Sequence, residues 1–418
     1  MIRGVKNMIE PRTLKGFRDF LPKEAKKRQY VINILRKVFE SYGFEPLETP
    51  ALEYEDILLG KYGEEGDKLM YRFTDRGGRK VALRYDQTVP LARVVAQYGN
   101  QLPTPFKRYQ IQPVWRAENP QKGRFREFLQ CDIDIVDTNS PLADAEVIAC
   151  VAKGLESLGF KNFKILINDR FIFNSGEFLT LGESELGPFM RSLDKIKKIG
   201  ADQALEEMVS FNIPREQAEK IINSVENQKI TPNLQKIMDL LNKYNITNIE
   251  FDPMLVRGLD YYTGLIFEVV IPEYGEDKSI GGGGRYDSLI GMFAGKQISA
   301  VGFAFGFDRI IESMDQLNLF PKDLITTKVL VTIFSQDLAE KSLAITEKLR
   351  SQGINTDLWP DPESKLEKQL KYADQKGIPF VVIAGPDEIS QNKITIKDMS
   401  QKTQKTVSVD DLPDAFKF

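Results

Sequence analysis

The first regular pattern along the chain is a helix. Apolar side chains at Val31, Leu35, Val38 and Tyr42 recur at intervals of four, three and four residues, which places them on one helix face. Gly43 supplies a stop, so the pattern predicts a helix over residues 22–42.

Strand patterns follow over residues 68–136, in the runs LMYRFTD, KVALRYD, KRYQIQPVW and REFLQCDIDIV. A helix is predicted over residues 142–159. Residues 170–250 carry helical periodicity, for example in AEKIINSV and LQKIMDLLNKY, which predicts a small helical insertion. Strand patterns return over residues 250–306 with LIFEVVI and AVGFAF.

Strands and helices alternate from Lys328 to the end of the chain. KVLVTIF and PFVVIAG are typical of buried strands, and two helices are predicted between them. A capping box from Ser364 to Glu367 is expected to open the second helix, and Gly377 is expected to close it. This alternation predicts a small α/β domain.

Length and composition describe a globular protein of more than one domain. The chain has 418 residues, of which 42% are apolar and 28% charged, so two or three domains are expected. The net charge of −3 gives no global positive field, so a nucleic-acid partner would have to be held by local patches. No apolar run is long enough to span a membrane, and the N-terminus lacks a signal-peptide pattern.

Cysteine and histidine usage narrow the chemistry. Cys131 and Cys150 have no CxxC spacing, which argues against a structural zinc site and favours a reducing, cytoplasmic location. The chain has no histidine, which excludes Ser-His and Cys-His pairs and imidazole metal ligands. Proton chemistry near neutral pH would need carboxylates, tyrosines, lysines or the substrate itself.

Two strands with unusual polar faces flank the loop AENPQKGR. On the second strand, alternation places Leu129, Cys131, Ile133 and Ile135 on the core face. The opposite face carries Arg126, Phe128, Gln130, Asp132 and Asp134, and the matching face of the first strand carries Arg108, Gln110, Gln112, Val114 and Arg116. A solvated antiparallel face is one interpretation. The mixture of cations, amides, carboxylates and an aromatic ring favours a binding site instead.

Two further clusters carry candidate chemistry. In LRYDQT, Asp86 and Thr88 are expected on one strand face with Arg84, and a capped turn is the open alternative. The four glycines at 281–284 predict no more than a flexible turn. In GFAFGFDRI, Arg309 falls where an apolar strand meets a helix; because an unpartnered buried arginine costs several kcal/mol, a phosphate or carboxylate partner is predicted.

The segment LVRGLDYYTGLIFEVV places polar residues between two strand-like pieces. Arg257 and Tyr262 are five residues apart, so a regular strand would point them to opposite faces. If both line one pocket, a bulge or kink is expected at Gly258 and the Leu259–Asp260 step.

These motifs resemble the class II aminoacyl-tRNA synthetases, specifically the histidyl-tRNA synthetase family. SYGFEPLETPALE with Pro50, VWRAENPQKGRFREFLQCDID and VGFAFGFDRI are similar to class motifs 1, 2 and 3, and LVRGLDYYTG and GGGRYD to the histidine-specific signatures. The resemblance implies an α+β fold: an antiparallel-sheet catalytic core over residues 1–169 and 251–325, a helical insertion over 170–250 and an α/β anticodon-binding domain over 328–418.

The resemblance also implies a reaction. Histidine would attack the α-phosphate of ATP, with Mg²⁺ on the phosphates, and the histidyl group would then pass to the terminal ribose of its tRNA. The implied catalytic residues are Arg116 and Arg257, on either side of the α-phosphate. The implied ATP-binding residues are Arg116, Glu118, Arg124, Phe128 and Arg309. The implied histidine-binding residues are Asp86, Thr88 and Gln130 for the α-amino group and Asp134, Tyr262 and Tyr286 for the imidazole pocket. No protein side chain is assigned to the metal.

The resemblance further implies a cytoplasmic homodimer. A catalytically inactive relative, the regulatory subunit of ATP phosphoribosyltransferase, is the alternative function. It usually lacks the C-terminal domain and loses the ATP-binding arginines, whereas this chain keeps Arg116, Arg124, Arg257 and Arg309. Ala117, Ala304 and Asp308 depart from residues frequent in the family, without removing a charge that the reaction needs.

Overall fold

The structure, a computed structural model, describes residues 9–60, 69–119, 124–174, 176–256, 261–275, 278–322 and 324–416. The chain divides into two compact units, Met1–Phe320 and Pro321–Phe418, each with its own hydrophobic core. Within these described ranges, no helix combines the length and apolar content needed to cross a membrane. Every residue that the resemblance assigns to histidine or ATP belongs to the first unit.

The described strands and helices are defined as follows. The strands are β1 (Glu45–Pro46), β2 (Leu52–Tyr54), β3 (Arg72–Thr74), β4 (Lys80–Leu83), β5 (Phe106–Trp115), β6 (Glu127–Val136), β7 (Lys164–Asp169), β8 (Ile249–Phe251), β9 (Leu265–Val270), β10 (Ser279–Arg285), β11 (Ala300–Phe305), β12 (Val329–Val331), β13 (Thr356–Leu358), β14 (Phe380–Ile383), β15 (Lys393–Asp398) and β16 (Thr403–Ser408). The helices are α1 (Pro22–Ser41), α2 (Glu55–Leu59), α3 (Thr88–Tyr98), α4 (Pro141–Ser157), α5 (Glu183–Ile199), α6 (Ala201–Ser210), α7 (Arg215–Glu226), α8 (Pro232–Lys243), α9 (Gly291–Ala294), α10 (Phe307–Gln316), α11 (Ala339–Ser351), α12 (Leu366–Lys376) and α13 (Pro386–Ser390).

An eight-stranded sheet forms the centre of the first unit. Its strands lie in the order β1–β5–β6–β11–β10–β9–β7–β8. Neighbours run antiparallel except at the two edges, where β1 is parallel to β5 and β8 is parallel to β7. The predicted antiparallel-sheet core is thus confirmed, and β6 lies inside it between β5 and β11.

One face of this sheet packs against α1 and α4. Cys131, Ile133 and Ile135 are at most 1% exposed and belong to the same core cluster as Leu35 and Phe39 of α1. The predicted core face of β6 is confirmed. The helix predicted over residues 22–42 is also confirmed, as α1. Because strand side chains alternate, the other face of β6 is turned away from these helices.

The predicted helical insertion contains α5 to α8. Ile221 and Val225 of α7 pack in a cluster that also includes Leu255 and Ile266 from the chain that follows. Helix α8 instead contributes apolar side chains, among them Leu234, to the core beneath the main sheet. The helical region therefore packs against two different parts of the first unit.

The second unit is an α/β domain, as predicted. Its sheet has the order β13–β12–β14–β15–β16, with the first three strands parallel and the last two pairings antiparallel. Gly377 ends α12 with a left-handed φ of 71°, also as predicted. The predicted capping box is wrong: the Ser364 hydroxyl donates to Asp361 Oδ2 at 2.6 Å, and α12 begins only at Leu366.

Candidate active site

The polar faces of β5 and β6 meet in register across the sheet. The opposed pairs are Arg108 with Asp134, Gln110 with Asp132, Gln112 with Gln130 and Val114 with Phe128. Arg108 and Gln110 are fully buried, and Gln130, Asp132 and Asp134 are at most 8% exposed. The interpretation of this face as a solvated sheet surface is therefore wrong, and the binding-site interpretation is favoured.

Asp134 is held from two sides. Arg108 Nη2 lies 2.7 Å from Asp134 Oδ2, and the Tyr286 hydroxyl donates to Asp134 Oδ1. Burial raises the pKa of Asp134, and the Arg108 guanidinium and the Tyr286 hydrogen bond oppose that rise. Arg108 also donates to Gln110 Oε1 at 3.3 Å, so the guanidinium links both strands.

Asp132 shares the same guanidinium at a greater distance. Its Oδ2 is 4.0 Å from Arg108 Nη2 and accepts from Gln130 Nε2 at 2.7 Å. Burial raises the pKa of Asp132 to about 8, despite the attraction of Arg108. Burial, together with the neighbouring Asp134 carboxylate, therefore favours the protonated form of Asp132.

Asp86 and Thr88 lie at a helix start, not on a strand face. Strand β4 ends at Leu83, Thr88 is the first residue of α3, and Asp86 Oδ1 accepts from the Val89 backbone N–H at 3.2 Å. The capped-turn alternative is thus correct. Arg84 is 1% exposed and donates to the backbone carbonyls of Thr49 and Pro113, so it stabilises this turn from inside.

Burial raises the pKa of Asp86. Its pKa is raised to about 6, because loss of water outweighs the Val89 hydrogen bond and the nearby Arg116 and Arg108. A carboxylate at a helix N-terminus is favoured by the positive end of the helix dipole. Asp86 can therefore receive a cationic group once it is ionised.

Gly284 of β10 and Gly302 of β11 form a surface without side chains beside Asp134, which we call the glycine floor. Residues 281–284 lie within β10, so the predicted flexible turn is wrong. Gly302 lies opposite Asp134 on one side and opposite Gly284 on the other. A Cβ on Gly302 would collide with the Asp134 carboxylate. The strand is built of glycine here because the polar side chain of β6 needs that space.

Tyr262 and Tyr286 border this floor, and the Tyr261 ring contacts both of them. A Cβ on Gly284 would lie 2.8 Å from Tyr262 Cδ1, which places the Tyr262 ring against Gly284. The ring centroids of Tyr261 and Tyr262 are 4.6 Å apart, and those of Tyr261 and Tyr286 are 5.8 Å apart. The structure thus brings Tyr262, Tyr286 and Asp134 to one place. Their assignment to an imidazole pocket stays a prediction.

Arg257 and the expected kink at 258–260 lie outside the described residues. On either side, β8 ends at Phe251 and β9 begins at Leu265.

The predicted ATP residues lie toward one end of the β5–β6 pair. The Arg116 guanidinium lies 5.0 Å from the centroid of the Phe128 ring, and Arg116 Nε donates to the Tyr85 carbonyl at 3.1 Å. Glu118 and Arg124 are exposed. Arg309 is only half-buried and donates to the Ser279 carbonyl, so its predicted dependence on a phosphate or carboxylate partner is wrong.

Arg108, Gln110 and Asp132 lie on the predicted polar face, although no role was predicted for them. The structure makes them the buried support of Asp134 and Gln130. The signal was present in the sequence: a cation and a carboxylate alternate in phase with the predicted site residues on paired strands.

Comparisons with known proteins identify the family. Residues 16–310 match the family model described as "Histidyl-tRNA synthetase". The chain belongs to the histidyl-tRNA synthetase family. Residues 328–418 match the model described as "Anticodon binding domain".

Full-length members of the histidyl-tRNA synthetase family are similar to this chain. "Histidine--tRNA ligase" of Cytophaga hutchinsonii is 40% identical and covers 97% of this chain and 99% of its own length. The protein of the same name from Christiangramia forsetii is 39% identical over 98% of this chain and 99% of its own. The crystal structure of histidyl-tRNA synthetase from Nostoc sp. matches with a TM-score of 0.84 and 30% identity, covering 98% and 99% of the two chains.

Proposed function

We propose that this chain joins histidine to its cognate tRNA in two steps. The histidine carboxylate attacks the α-phosphorus of ATP, a mixed anhydride forms, and pyrophosphate leaves. The terminal ribose hydroxyl of tRNA then attacks the histidyl carbonyl, losing its proton, and AMP leaves. The observation that carries the proposal is the buried Arg108–Asp134–Tyr286 arrangement over a glycine floor, in a chain of this family.

The histidine end of the site recognises two groups of different charge. Asp86, at the start of α3, receives the α-ammonium together with Thr88 and Gln130. Asp134 accepts from the imidazole, and Tyr262 and Tyr286 bound the ring. Because Arg108 and Tyr286 fix the Asp134 carboxylate, a side chain that cannot donate a hydrogen bond there would leave buried polar groups unpaired, which gives strong discrimination without editing.

The ATP end supplies fixed positive charge. Arg116 binds the α-phosphate beside the Phe128 ring on which the adenine stacks, Arg309 covers the other side of the adenine, and Glu118 accepts from its amino group. Arg124 binds the outer phosphates. Arg257, from the resemblance alone, approaches the α-phosphate opposite Arg116. Cations placed where charge develops lower the barrier without a protein base.

Magnesium is proposed to enter with the nucleotide. Among the described residues, no group of three or more carboxylates or thiols lies close enough to hold a metal ion unaided. In nucleotide sites, Mg²⁺ is commonly bound by the phosphate oxygens of the substrate. At that position it would neutralise part of the phosphate charge.

Exchange of labelled pyrophosphate into ATP tests the activation step. We expect exchange that requires histidine and is abolished in Arg257→Ala while histidine binding is retained. Absence of exchange with histidine and with every other amino acid would favour the alternative, a regulatory subunit of ATP phosphoribosyltransferase. The match of residues 328–418 to the anticodon-binding domain model and the retained Arg116, Arg124 and Arg309 support the ligase.

We also propose a homodimer that acts in the cytoplasm, with the second unit contacting the tRNA anticodon. In the small β2–β4–β3 sheet, Leu52, Tyr54 and Phe73 share one face and are 39%, 53% and 52% exposed. Such an exposed apolar patch is typical of an interface. Sedimentation of Tyr54→Glu should show dissociation; an unchanged mass would place the interface elsewhere.

A further inference from the structure

The N-terminal segment Gly16–Phe20 lies against the residues that lead into β6. The Arg126 backbone N–H donates to the Gly16 carbonyl at 2.8 Å, and Arg126 Nε donates to the Glu118 carbonyl at 2.9 Å. Arg126 therefore connects the N-terminal segment to Glu118, the residue assigned to the adenine amino group.

Arg18 contacts both sides of the ATP end. Its guanidinium carbon is 3.2 Å from the centroid of the Phe125 ring, just before β6. Its Nη2 is 2.7 Å from Asp308 Oδ2, in the first turn of α10 and adjacent to Arg309. One side chain from the N-terminal segment thus joins the two elements that are assigned to opposite faces of the adenine.

Asp308 is also paired with a second cation. Arg28 Nη1 of α1 lies 2.6 Å from Asp308 Oδ1, and its guanidinium lies over the rings of Phe20 and Phe307. Arg18, Arg28 and Asp308 are 27%, 12% and 19% exposed at their side chains, so the cluster is mostly shielded from water. Both arginines bind the same carboxylate and both lie over the Phe20 ring, at 4.9 Å for Arg18 and 4.0 Å for Arg28. They differ in their second aromatic contact, which is Phe125 for Arg18 and Phe307 for Arg28.

We propose that Arg18 is a positioning residue for ATP, which fixes the residues leading into β6 relative to Arg309 by stacking on Phe125 while pairing with Asp308. The proposal rests on the ATP site of the proposed function. Arg18 touches no reacting atom: it acts through Phe125 and Asp308. Its planar guanidinium can stack on a ring and pair with a carboxylate at the same time, whereas a lysine ammonium has no flat face to stack.

Lysine substitutions at Arg18 and Arg28 distinguish a role of Arg18 in positioning the ATP-binding residues from a general stabilising role of the cluster. In Arg18→Lys, KM for ATP in pyrophosphate exchange should rise roughly three- to tenfold, the loss expected for one partly buried cation–π contact, with KM for histidine unchanged. Arg28→Lys keeps a positive charge beside the same carboxylate and leaves the contact between Arg18 and Phe125 intact, so it should change KM for ATP by less than about twofold. Equal effects of both variants, or a fall in kcat with KM for ATP unchanged, would overturn the proposal.

Phe125→Leu provides an independent check. It should raise KM for ATP as Arg18→Lys does, and the double variant should be no worse than either single one, because both remove the same contact. Additive effects would count against the stack. ATP dissociation constants from calorimetry should follow the same order. If the unaltered enzyme shows no histidine-dependent exchange, the proposed function fails, and calorimetry on the same variants still decides the role of Arg18.

Discussion

Arg108 lies directly across the β5–β6 pair from Asp134, with Nη2 2.7 Å from Oδ2, and both side chains are buried. Removing the cation leaves Asp132 and Asp134 buried without it. Arg108→Met should therefore lower the free energy of unfolding by about 3 to 5 kcal/mol, as measured by urea denaturation.

Lys107→Met is the matched control for that substitution. Lys107 is the preceding residue on β5 and pairs with Glu146 at 2.7 Å, but both side chains are about one quarter exposed. Its loss should cost no more than about 1 kcal/mol. A similar cost for the two variants would mean that Arg108 is not the counter-charge of the site.

Gly302→Ala should block histidine binding. The added Cβ collides with the Asp134 carboxylate, which Arg108 and Tyr286 prevent from moving away. We expect KM for histidine in pyrophosphate exchange to rise at least about tenfold. Gly99→Ala is the control, since a Cβ there has open space and its φ of −52° suits alanine. A normal KM for histidine in Gly302→Ala would remove Asp134 from the pocket.

Asp86 should make histidine affinity depend on pH. Its pKa of about 6 lies above that of an exposed aspartate, so the carboxylate is protonated, and its attraction for the α-ammonium lost, as pH falls through 6. Asp86→Asn keeps an oxygen that can cap α3 but has no charge. Histidine binding measured by calorimetry from pH 5 to 8 should weaken in this variant near pH 7 and approach that of the unaltered protein near pH 5.

The imidazole of the histidine substrate titrates in the same pH range, but its titration affects binding to the unaltered protein and to Asp86→Asn alike. The difference between the two binding curves therefore reports Asp86. A constant difference between pH 5 and 8 would contradict this assignment.

Asp132 should make stability fall as pH rises. Its folded-state pKa of about 8 exceeds the unfolded value near 4, so between these pH values the folded state holds a proton that the unfolded state has released. Stability is therefore lost from about pH 4 to pH 8. Asp132→Asn carries no such proton, so its midpoint in urea relative to the unaltered protein should improve from pH 5 to pH 8; a parallel pair of curves would show that Asp132 is ionised throughout.

Local periodicity predicted the core of the fold but not the surroundings of the site. Cys131, Ile133 and Ile135 were assigned to the core correctly because alternation along one strand is a local property. The same alternation could not show that Gln130 and Asp132 are buried, because strands and side chains distant in sequence cover them.

Short motifs with two local solutions could not be assigned from the sequence alone. Asp86 to Thr88 fits a strand end or a helix start, and the choice depends on the long-range contacts of Arg84. The glycines at 281–284 suggest a turn, yet Gly281 lies in β10. A glycine is needed there because the Phe303 ring of β11 would lie 2.6 Å from a Cβ at this position. Membership of the histidyl-tRNA synthetase family was predicted correctly, because several motifs agreed.

The glycine floor limits how the specificity of this pocket can change. Gly302 and Gly284 are already the smallest residues, so a point mutation at either position can make the pocket shallower but never deeper. Under the proposed function, variants that accept bulkier histidine analogues are therefore expected at Tyr262 and Tyr286. Substitution of Tyr286 also removes its hydrogen bond to Asp134. In the proposed pocket, a variant at this position that admits a larger ring would therefore also bind the imidazole less tightly.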